Sequence, residues 1–110
     1  MTEDLRSKFD QAMTNVMHAR SRLLEAKDAV IEGKEELKEQ ETANILDGSY
    51  TASGKNEKER ESWLRAQTTI RRVHVLELEK SERVAVLNLE IALDSRRNLE
   101  SILKIMELEA

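Results

Sequence analysis

The chain is 110 residues long, the size of one domain, with 36% charged residues, 3% aromatic residues, no Pro, no Cys and only three Gly. Such a composition belongs to long helices and excludes a disulfide scaffold, thiolate metal sites and a core filled by rings, each of which hides about 150–250 Å². The formal net charge of −4 divides into −4 over residues 1–47, +2 over 48–83 and −2 over 84–110, too slight a basic excess to drive nucleic-acid binding by counterion release alone.

From Leu5 the apolar residues recur as Leu5, Phe9, Met13, Val16, Leu23, Val30 and Leu37, with Ala12, Met17, Ala19, Leu24 and Ile31 widening the stripe. These spacings predict a helix over about 2–46, with Thr2 as N-cap and the negative Glu3 and Asp4 favoured beside the exposed amides of its first turn. Gly33 interrupts the pattern at a cost of about 1 kcal/mol relative to Ala. The period resumes at Leu37, so the helix is expected to continue with a soft bend.

A turn is predicted over about 47–56. Asp47-Gly48 and Ser53-Gly54 are turn-forming pairs, because Gly accepts positive φ and the Asp or Ser side chain bonds nearby amides. Asn56 as N-cap with Glu59 at the N3 position then makes a variant of the capping box. It starts a second helix, over about 57–109, in which Trp63, Ile70, Val73, Leu76, Leu78, Val84, Leu87, Ile91, Leu99, Ile102 and Met106 carry the apolar pattern without a breaker.

The fold expected is all-α: a long antiparallel helical hairpin forming a single domain over 1–110. Its second half has apolar residues on more than one face. Val84, Leu87 and Ile91 lie on one line, while Ala85, Leu89, Ala92, Leu99 and Met106 lie on another. One partner helix covers one stripe, and each Leu, Ile or Val left in water forfeits about 1.5–3 kcal/mol of burial. The hairpin is therefore expected to form a homodimer, as a four-helix bundle or a coiled coil, with the alternative that a different protein covers the wide face.

No catalytic, cofactor-binding or metal-binding residues are assigned, and the chain is not expected to be an enzyme. His18 and His74 are the only imidazoles, neither has a second ligand at metal-binding spacing, and H-E-x-x-H is absent. Glu32, Glu35, Glu36 and Glu39 share a helix face, but a di-iron bundle needs Glu-x-x-His twice; pairs such as Glu35–Lys38 make them a solvated face. SGKN at Ser53–Asn56 lacks the phosphate-loop pattern, since Gly48 stands six rather than five residues before Gly54 and Asn56 replaces the hydroxyl residue.

The residues proposed to meet a partner lie around the turn: Tyr50, Lys55, Arg60, Trp63, Arg65, Arg71 and Arg72. Trp63 has two readings, an apolar cap with Tyr50 that fixes the hairpin end, or an exposed anchor of the Trp, Tyr and Arg type found at interface hot spots. With Lys58, the basic residues among them also make nucleic acid an alternative partner, less favoured because Glu57, Glu59 and Glu61 are interleaved. The polar start MTEDLRSKFDQ and the absence of 18 successive apolar residues suggest a soluble, cytoplasmic protein that does not enter a membrane.

The segment Ile45–Arg65, ILDGSYTASGKNEKERESWLR, resembles small bacteriophage and prophage proteins in which a helix, a short Gly-containing turn, a G-K-N-x-x-x-R-E element and a second helix follow one another. The resemblance covers about twenty residues. It implies a non-enzymatic, phage-encoded accessory protein acting on a host or phage protein, and so a place in the host cytoplasm. Secreted helical hairpins of the W-x-G type differ: their Trp lies in the turn, whereas Trp63 lies within the second helix.

Overall fold

A computed structural model describes residues 3–109, so the capping role expected of Thr2 lies outside the described residues. The chain is an all-α helical hairpin. Its elements are α1 (Glu3–Leu46), α2 (Ser49–Ala52), α3 (Glu57–Gln67) and α4 (Thr69–Glu109). They pack as two compact units, one made of the chain up to Ala26 with the chain from Glu82 onward, the other of Lys27–Ser81.

In the first unit the α1 segment buries Ala12, Val16 and Ala19 and half-buries Leu5, Phe9 and Leu23. The α4 segment buries Ala85 and half-buries Leu89, Ala92, Leu99 and Leu103. Alternating steps of three and four keep these positions on one stripe of each helix. Within the expected stripe Met13 and Met17 prove to be exposed, whereas the smaller Ala12 and Ala19 are buried. Small side chains at the contact let two backbones approach closely, so the core holds little volume.

In the second unit Val30 and Val75 are buried, with Leu37, Leu64 and Leu78 half-buried. Helix α1 runs unbroken through Gly33, which is itself buried. A Cβ there would stand 2.7 Å from Leu78 Cδ1 and 3.6 Å from Val75 Cγ2, so the glycine is a place of close approach between α1 and α4. Polar ties flank that contact: Arg71 to Glu36 at 3.5 Å, Arg72 to Glu41 at 2.6 Å and the Gln40 side-chain amide to the Gln67 carbonyl at 3.3 Å.

Two expectations about the second half of the hairpin are corrected. The turn contains a short helix, α2, and the helix expected to run without interruption over 57–109 is divided at Thr68, where φ is −103° and ψ is 7°. A pair of adjacent hydroxyls marks the division. Thr68 Oγ1 donates to the Leu64 carbonyl at 2.9 Å, and Thr69 Oγ1 donates to the Arg65 carbonyl at 2.9 Å. Such bonds from a side chain back to the preceding turn compete with the regular ladder and bend helices. Backbone hydrogen bonds still bridge the division, the Thr68 N–H reaching Leu64 O and the Arg72 N–H reaching Thr68 O.

Candidate interaction surface

Helix α1 ends where Gly48 adopts the left-handed conformation, φ 83°, which an L side chain disfavours. The preceding carboxylate fixes the exit, since Asp47 Oδ1 accepts the Ser49 N–H at 2.8 Å. Hydrogen bonds from the Ser49 side chain and backbone hold the exposed Asp47 carboxyl below its ordinary pKa. Ser53 Oγ then donates to the Tyr50 carbonyl at 2.6 Å, closing α2.

The start of α3 is capped reciprocally. Asn56, with extended backbone, accepts the Glu59 N–H on Oδ1 at 2.9 Å, while Glu59 Oε2 accepts the Lys55 N–H at 2.8 Å. The carboxylate thus reaches one residue beyond the N-cap, and it can do so because Gly54 has no side chain: a Cβ at Gly54 would lie 2.5 Å from Glu59 Cβ. Arg60 Nη1 donates to the Gly54 carbonyl at 3.5 Å, and α2 packs against α3.

The seven residues proposed around the turn do not form one surface of equivalent groups. Tyr50 and Trp63 are half-buried, Lys55 and Arg65 are exposed, and Arg60 is turned back onto the turn. Arg71 is paired with Glu36, and the half-buried Arg72 donates both to Glu41 and, through Nε, to Thr68 Oγ1 at 2.8 Å. Thr68 is 0% exposed. These two arginines therefore tie α4 to α1, Arg71 through a pair that is about half exposed. Among the described residues no group of three or more His, Asp or Glu is placed to hold a metal ion, and no helix is long and apolar enough to cross a membrane.

Both units leave large apolar side chains exposed, Ile70, Val73 and Leu76 among them in the second, and in the first unit they form a line on α4. Val84 (50%), Leu87 (56%), Ile91 (63%), Ile102 (45%) and Ile105 (56%) remain exposed on a face turned away from the stripe of Ala85, Leu89 and Leu99. On the α1 segment Met17 and Leu24 are exposed as well. None of these exposed apolar residues was among the site residues assigned from the turn. Their signal was the doubled apolar line, which marks surplus surface without saying which line faces inward. Comparison of the chain with protein-family models, with curated proteins and with solved structures finds no match in any of the three.

Proposed function

We propose that this chain is a non-enzymatic interaction protein: it pairs with a second copy of itself and presents helix faces or the hairpin turn to another protein. The single observation that carries this reading is the exposed aliphatic face of α4. Full burial of a Leu, Ile or Val contributes about 1.5–3 kcal/mol, so side chains already half covered retain about 1 kcal/mol each. Summed over both copies of such a face, the gross gain is on the order of 10 kcal/mol, comparable with the roughly 4–15 kcal/mol that association costs in lost freedom. At the low end of that cost the balance leaves about 6 kcal/mol, a dimer with Kd on the order of tens of micromolar.

The resemblance of Ile45–Arg65 to phage-encoded helical hairpins supports the role of an accessory protein working in a host cytoplasm. The nucleic-acid alternative is weakened by the ion pairs that engage Arg71 and Arg72. Light scattering at several hundred micromolar tests the central claim. The native chain should have twice its 12.7 kDa mass, and the double variant Leu87→Glu, Ile91→Glu should be monomeric with its helix content intact. A monomeric native chain at several hundred micromolar would sink the self-association.

A further inference from the structure

The exposed face of α4 is self-complementary in one orientation, and we infer that two copies join through it antiparallel, on a two-fold axis level with Arg96. The inference rests on the self-association proposed above and adds its seam and register. Between Val84 and Leu108 the outer face follows a seven-residue repeat: Val84, Ile91, Asn98 and Ile105 occupy one seam position, Leu87, Asp94, Ser101 and Leu108 the other. The apolar members are at least half exposed, Leu108 at 87%. Three polar residues, Asp94, Asn98 and Ser101, interrupt this run, the first two flanking its middle.

Antiparallel pairing about that middle sets apolar with apolar and polar with polar at every level but one. Val84 faces Leu108 of the second copy, Leu87 faces Ile105, Ile91 faces Ser101 with Ile102 beside it, and Asp94 faces Asn98. Along one flank, Glu90 faces Lys104 on each side of the axis. On the same flank Arg97 faces Arg97 of the second copy at the axis, and each is held by its own Asp94 at 3.3 Å in a pair two-thirds exposed, so that two acids stand beside the two bases. In the parallel, in-register alternative Asp94 would face Asp94 inside the seam and Glu90 would face Ser95. Like charges across a seam disfavour that arrangement, whereas opposite charges set partner orientation.

The chain has no native Cys, so introduced thiols report the seam without interference. Equimolar Leu87→Cys and Ile105→Cys chains, mixed and oxidised, should give the mixed disulfide in several-fold excess over either homodisulfide. Glu90→Lys should weaken the dimer about three- to tenfold, and adding Lys104→Glu should restore it to within about twofold, as expected for two flank ion pairs. Homodisulfides of Leu87→Cys dominating in a chain that light scattering shows to be dimeric would overturn the antiparallel register alone. A dimer insensitive to both charge reversals would also overturn it. A monomer by light scattering would overturn the self-association and this seam with it.

Discussion

Thr68 is a polar residue with no exposed surface, and it connects three groups: its hydroxyl donates to the Leu64 carbonyl and accepts from Arg72 Nε, and Arg72 in turn holds Glu41. Replacing it with Val keeps the shape and removes the hydroxyl, leaving the Arg72 guanidinium one acceptor short in a part-buried setting. Loss of such a bond costs about 1–2 kcal/mol. Thr68→Val should lower the urea midpoint accordingly, and an unchanged midpoint would show that the Thr68–Arg72 contact is idle. Asp47 gives a pH-dependent counterpart. Its folded pKa lies below the ordinary value of about 3.9, so the stability it contributes is present above that value and is lost as pH falls through the lower folded pKa. Titration of its carboxyl carbon by NMR should show the depressed midpoint, and Ser49→Ala should raise that midpoint towards the ordinary value.

At the scale of elements, the two close-packed glycines differ in what surrounds them. A methyl group at Gly33 meets the far end of the Leu78 side chain, which can swing, and gains about 1 kcal/mol of helix propensity. A methyl group at Gly54 meets Glu59 Cβ and, at 3.2 Å, the Arg60 backbone nitrogen, neither of which can move without dismantling the α3 cap. Gly54→Ala should therefore destabilise by about 1–3 kcal/mol, the usual cost of overpacking, and Gly33→Ala by clearly less. Thermal denaturation of both variants checks the order, and a larger loss at Gly33 would contradict it.

Much of this level was legible in the sequence. The spacing of Leu5, Phe9, Val16, Leu23 and Val30 located α1, and the Asn56–Glu59 pair located the start of α3. Helix α2 and the division at Thr68 were not legible, because neither SYTA nor a Thr-Thr pair contains a breaker; the division coincides with two hydroxyls that bond back to the preceding turn. Arg71 and Arg72 looked available for a partner because their carboxylates, Glu36 and Glu41, are more than thirty residues away along the chain. Only the fold brings them together.

For the molecule as a whole, the deciding quantity is how much apolar surface its own helices leave uncovered. Sequence showed the surplus, with Val84, Leu87 and Ile91 on one line and Ala85, Leu89 and Leu99 on another, but either line could have faced inward. The structure covers the Ala-containing line and exposes the larger side chains. A chain that relies on a second copy to cover them should have a concentration-dependent melting midpoint. Each tenfold rise in concentration should raise it by about 3–5 °C, as the sensitivity of a domain of this size implies. A midpoint fixed over two decades of concentration would speak for a folded monomer.

Helix α3 has no buried residue and rests on its cap, on α2 and on the junction at Thr68. Local opening there exposes little oily surface, so it demands far less than melting either long helix. Amide hydrogens of α3 should thus be the earliest helical ones to exchange with solvent, and this segment is also the one freest to remodel against whatever it touches.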